Sequence, residues 1–164
     1  MNIFLLDTSP KLAAQYHANC HAVKMVLETG QILSTVHAIY GSGVEGLYKP
    51  THKNHPCVKW AALSKENYEW TVELFRELSK EYTYRYGKDH ASFCRLDGKI
   101  DSPPNGIPSL GFTQPAQAMP DEYRNVDPVV AYRNYYKFGK TKLLKYTKRE
   151  VPEWLGQIPS VNQT

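Results

Sequence analysis

The chain has 164 residues, 41% hydrophobic and 22% charged, with a net charge of +4, the profile of an ordinary globular domain large enough to bury a core. No stretch reaches the length of a membrane span, and Ile3–Leu6 lacks the basic flank of a signal peptide, so a cytoplasmic location with no membrane partner is expected. Three cysteines, Cys20, Cys57 and Cys94, are an odd number and make no disulfide framework.

Asn2 to Leu6 reads as a short strand or extended lead-in. Ser9 suits a helix N-cap and Pro10 the first helical position. Lys11 to Leu33 then reads as one long helix with a bend near Gly30, ending by Gly41-Ser42-Gly43. Along it His17, His21, Lys24, Glu28 and Gln31 recur at spacings of 4, 3, 4 and 3, one stripe at helical period. The rest of the circumference is mostly apolar, which predicts a buried helix. Buried ionisable groups are costly unless paired with each other or with a ligand, so the stripe is the first candidate site. An internally satisfied network, with His bonded to Tyr and Lys24 to Glu28, explains the same pattern.

Further on, Thr51-His52-Lys53-Asn54-His55-Pro56-Cys57 precedes a short helix holding Val58, Trp60 and Leu63, with Pro56 in its first turn. Ser64 caps the next helix, predicted to run to about Tyr86 and close at Gly87. Residues 97–120 are rich in Pro and Gly and read as a long loop or lid. Asp127-Pro128 caps a last helix with a seam of Val129, Tyr132, Tyr136, Leu143 and Tyr146. Residues 156–164 read as a flexible tail. The fold expected is mainly α: one helical bundle around a buried N-terminal helix.

Two further clusters can carry chemistry. Residues 131–149 hold seven Lys and Arg, among them Arg133, Lys137 and Lys140, with no Asp or Glu. Tyr135, Phe138 and Tyr146 interleave with them. Cations neutralise phosphates and aromatic faces stack on bases, although a basic helix is often only a solvated face. His52, His55 and Cys57, with His17, Cys20 and His21, are zinc-type ligands, but their spacing closes no tetrahedral set, so no metal or cofactor is expected. No nucleophile elbow or phosphate-binding glycine loop is present.

The segments Gln15-Tyr16-His17-Ala18-Asn19-Cys20-His21-Ala22-Val23-Lys24-Met25 and Leu47 to Cys57 resemble a family of small phage-encoded proteins. Ala131 to Tyr136 and Glu153-Trp154 fit it as well. More distantly, Leu12-Ala13-Ala14-Gln15 and Asn54-His55-Pro56 before an amphipathic helix are similar in layout to pyrimidine-dimer DNA glycosylases. That resemblance implies a small helical fold, an imine-forming N-terminal amine and a glutamate on the first long helix. Here Asn2 is large, which favours retention of Met1. An ungapped match places Val23 where the glutamate is expected, with Glu28 more than a turn further on.

With no recognisable catalytic set, the leading expectation is a phage protein that binds a small anionic nucleotide without turnover, sequestering a host immune signal. His17, His21, Lys24, Glu28, His52, Asn54, His55, Arg133, Tyr136 and Lys137 are its candidate ligand-binding residues. Nucleic acid is expected to bind weakly, and self-association into a homo-oligomer stays open. The alternative is a glycosylase or lyase acting on damaged or modified DNA. A third reading is a phosphodiesterase working through paired histidines.

Overall fold

The computed structural model describes residues 1–156, and the expected tail lies almost wholly outside them. All regular structure among the described residues is helical: α1 Pro10–Tyr16, α2 Asn19–Ile39, α3 Pro56–Leu63, α4 Lys65–Tyr86, α5 Ala91–Leu96 and α6 Pro128–Asn134, with short 3-10 and π turns after α5. No helix among the described residues is long and apolar enough to cross a membrane. α4 packs on α1, α2 and α3, and α2 also meets α3 and α5.

Local signals explain most helix ends. Ser9 Oγ accepts from Leu12 N and Pro10 opens α1. His55 accepts from Cys57 N at the start of α3, where Pro56 needs no hydrogen-bond partner for its nitrogen. α4 stops at Gly87, whose φ of 72° is the left-handed cap that a side chain would strain. Asp127 caps α6 through Val129 N. Residues 2–6 form no strand. The segment turns at its end, where Leu6 N donates to Phe4 O at 2.9 Å, and Ile3, Phe4, Leu5 and Leu6 are buried in the core.

Two expectations are corrected. The long opening helix is two helices, because His17 and Ala18 take extended backbone conformations. The carbonyls freed at the end of α1 are taken by side chains from far along the chain. Arg85 donates to Gln15 O at 3.0 Å and His17 O at 2.7 Å, and Tyr146 donates to Tyr16 O at 2.6 Å. The last helix is also short. After Asn134 the backbone widens into a π turn at Tyr135–Gly139 and then tightens into a 3-10 turn at Thr141–Leu143.

α2 runs on through Gly30 to Ile39. A Cβ at Gly30 would lie 2.7 Å from Leu96 Cδ1, so glycine permits the close approach of α5. Residues 97–120 are tied to the start of α4. Thr113 N donates to Asn67 Oδ1 and Asn67 Nδ2 to Thr113 Oγ1, while Trp60 Nε1 donates to Thr113 O. The far end of this segment, Ala116–Ala118, borders the site described next.

Candidate active site: an amine and a carboxylate

The first residues of the chain are held by a dense set of bonds to Asn2. Asn2 Oδ1 accepts from Ile3 N at 2.8 Å and from the Tyr132 hydroxyl at 2.9 Å. Cys57 Sγ lies 3.5 Å from the same oxygen, and Asn2 Nδ2 donates to Ala118 O at 2.8 Å. With Asn2 anchored on α3, α6 and the 116–118 segment, the backbone is presented to α2. Asn2 N donates to Glu28 Oε2 at 3.1 Å, and the Met1 amine lies 3.9 Å from Glu28 Oε1. The Met1 side chain is buried while the residue as a whole is half-buried, so its exposed area lies on the main chain.

Glu28 also meets Lys24, one turn earlier on α2, at 3.7 Å. Lys24 is 68% exposed and Glu28 only 12%. One carboxylate, poorly solvated, thus faces two amines. Strong charge interactions are favoured where water is scarce.

His55 completes the surroundings. Burial, the nearby Met1 amine and His52 all lower its pKa, and Glu28 opposes them. Its Nδ1 accepts from Cys57 N, so the neutral ring carries its proton on Nε2. His52 has a left-handed φ of 49°, and its Nδ1 lies 2.7 Å from Thr51 Oγ1. Burial pushes the Cys57 thiol up to about 11, so it stays protonated and serves as a donor to Asn2. Among the described residues no three His, Cys, Asp or Glu side chains come together as a metal site.

The structure therefore divides the residues singled out in the sequence. Glu28 meets both the Met1 amine and Lys24, His55 lies near that amine and Glu28 with His52 beside it, and Asn54 lies in the turn between the two histidines. Lys24 is not buried as the stripe implied. His17 and His21 are sealed in the core. His17 Nδ1 lies 2.6 Å from Ala13 O, and His21 Nδ1 lies 2.6 Å from the Tyr136 hydroxyl, itself fully buried. Desolvation lowers His17 to about 4 and His21 to about 3. Arg133 is committed elsewhere, bonding Leu6 O and pairing with Asp7 at 3.0 Å. Lys137 lies on the π turn with its ammonium 5.5 Å from the Phe138 ring.

Glu28, not Val23, is the acidic residue of α2 that reaches the chain start. An ungapped match misses it because Glu28 lies more than a helical turn beyond Val23, so only a match that allows an insertion before it reaches this residue. Asn2 and Tyr132 are not among the candidate residues of the sequence, and the N-terminal amine enters there only through the resemblance. The signal that could have found them is the pairing of a polar second residue with a distant tyrosine, which no local pattern carries.

No curated protein and no solved structure matches the chain. The sequence profile of the pyrimidine dimer DNA glycosylases matches residues 1–93, a span that holds Met1, Lys24, Glu28, His52 and His55. That span is more than half of the sequence, and the chain belongs to the pyrimidine dimer DNA glycosylase family.

Proposed function

We propose that the protein is a DNA glycosylase with lyase character, acting on damaged bases through the Met1 amine with Glu28 as its partner. The observation that carries this reading is the amine 3.9 Å from the Glu28 carboxylate, itself only 12% exposed. Membership of the family supports it, and so does the burial of His17 and His21, which withdraws two intended holders of a sequestered nucleotide. The neighbouring histidines give little support to a phosphodiesterase, because His17 and His21 are buried in the core and His55 already uses Nδ1 to accept from Cys57 N. His21 is influenced by His17, Lys140 and Lys24, and His55 by the Met1 amine, His52 and Glu28.

An unprotonated amine is a nucleophile, and α-amines as a class lose their proton at lower pH than lysine amines. Its lone pair attacks C1′ of the damaged nucleotide. The N–C1′ bond forms as the C1′–base bond breaks, and the base leaves with that electron pair and takes up a proton. Loss of the amine protons and opening of the sugar ring give an imine between the chain and C1′. Glu28 is placed to accept a proton from the amine and to stabilise the positive charge on nitrogen. Later proton loss at C2′ would break the 3′ phosphate bond, and water would release the enzyme by hydrolysing the imine.

Borohydride trapping tests this. Duplex DNA carrying a pyrimidine dimer or an abasic site, incubated with protein and borohydride, should give a covalent complex. Peptide mapping should place the adduct on Met1. Glu28→Gln should lower the trapping rate roughly 100-fold, within the range of general acid–base effects, and added residues before Met1 should abolish trapping. No adduct with either DNA, or an adduct on Lys24, would overturn the assignment.

A further inference from the structure

Beyond the residues that the family profile matches, the chain builds a surface that the amine and carboxylate do not use. The π turn at Tyr135–Gly139 throws Phe138 outward, 63% exposed. Wide turns of this kind inside helices are rare and often accompany function. Lys137 Nζ lies 5.5 Å from the Phe138 ring centre. Lys140 Nζ lies 4.7 Å from the Tyr135 ring and 5.6 Å from Phe4, and Tyr135 stacks on Tyr123 at 5.3 Å. Leu143 is exposed beside them, and Lys142, Lys145 and Lys148 follow, all exposed. From Pro128 to Arg149 there is no carboxylate, and although Asp121 and Glu122 flank Tyr123 at the edge of this face, the turn itself is wholly cationic and suits an anionic partner.

The surface also lies on the same side of α2 as the site. Lys140 sits over Phe4, whose ring is 4.8 Å from His21. Lys140 and Lys24 both act on His21, and Lys24 pairs with Glu28. From His21 to Glu28 along α2 is about 10 Å at 1.5 Å per residue, roughly three stacked bases.

We propose that the turn from Tyr135 to Leu143 is a stacking platform for the unpaired nucleotides beside the reacting one, with Phe138 taking a base on its face and Lys137, Lys140 and Lys142 meeting the phosphates. It rests on the DNA reading above and deepens it. An exposed aromatic ring flanked by ammonium groups is the arrangement that holds single strands without reading their sequence. Opening a duplex around a damaged base leaves such a strand to be held.

The test measures binding without chemistry. Fluorescence anisotropy with a short thymidine oligonucleotide, and quenching of a 2-aminopurine base within it, are followed across a salt series. Phe138→Ala should weaken single-strand binding roughly 5- to 100-fold and abolish the quenching, leaving the salt slope unchanged. Phe138→Tyr should restore both. Lys142→Ala should lower the salt slope by about 0.7. Phe138 is exposed, so the melting temperature of the variant should match the parent. Equal affinity and equal quenching in Phe138→Ala would overturn the platform. Borohydride trapping on the same proteins separates the two readings. Stacking without an adduct removes the imine chemistry alone, and an adduct without stacking removes the platform alone.

Discussion

Asn2 shows how a single residue sets the geometry of the site. Its side-chain oxygen collects donors from Ile3, Tyr132 and Cys57, and its amide reaches Ala118. The Tyr132 hydroxyl is buried and lies 2.9 Å from both Asn2 Oδ1 and Ala116 O, while Ala118 N donates to it. Burial holds this phenol well above its ordinary pKa, so it stays a neutral donor. Tyr132→Phe removes that donor and keeps the ring that packs on Phe4. The loss should cost about 1–3 kcal/mol of stability, because Ala118 N is left without its acceptor. The amine should also lose its fixed position over Glu28. Single-turnover trapping at saturating DNA should therefore slow while the affinity for DNA stays unchanged. A loss of affinity with an unaltered trapping rate would show that Tyr132 does not position the amine.

Elements whose ends are set by neighbours in sequence were readable in the sequence, and those set by distant side chains were not. Pro56 with its preceding His55, and Gly87 after Tyr86, are local devices, and α3 and α4 lie where the pattern puts them. The break between α1 and α2 has no local signal. It depends on Arg85, which is buried and reaches back 68 and 70 residues to His17 O and Gln15 O. The last helix was overread because its basic and aromatic residues continue past Asn134 while the backbone turns π and then 3-10. At the site, the Lys24–Glu28 pair at i, i+4 was legible, but the Met1 contact was not. Arg85 is held by Glu81 at 2.9 Å, and Glu81 also takes two bonds from Arg149. Removing one member of a buried pair leaves a charge uncompensated, at a cost of about 3–5 kcal/mol. Glu81→Gln should lower the urea midpoint accordingly. Arg149→Ala, at a half-buried position, should cost less than Glu81→Gln. Equal small losses in both would mean that the network does not hold the α1–α2 junction.

At the scale of the whole molecule, the two core histidines tie stability to pH. The His17 ring is fully buried beside Phe4 and Tyr136, with Arg85 as its charged neighbour, and the His21 ring is influenced by His17, Lys140 and Lys24. Both stay neutral when folded, with pKa values lowered from 6.5 to about 4 and about 3. The unfolded chain binds a proton on each ring near pH 6.5, whereas the folded chain does so only below about 4. Between those limits the unfolded state holds more protons, so stability is full above pH 6.5 and falls as the solution is acidified. At pH 5 the loss is about 2 kcal/mol per ring, from roughly 1.5 pH units at 1.36 kcal/mol each. Urea unfolding at pH 7.5 and pH 5 should show that loss in the midpoint with an unchanged slope. Proton NMR of the six histidines should show at least two rings that remain neutral at pH 5. If every ring titrated between pH 6 and 7, protonation would not be coupled to unfolding, and the core would have to admit water or a counterion at Tyr136. A flat midpoint with two untitrated rings would instead place the same depressed pKa values in the unfolded chain, which a solvated coil does not provide.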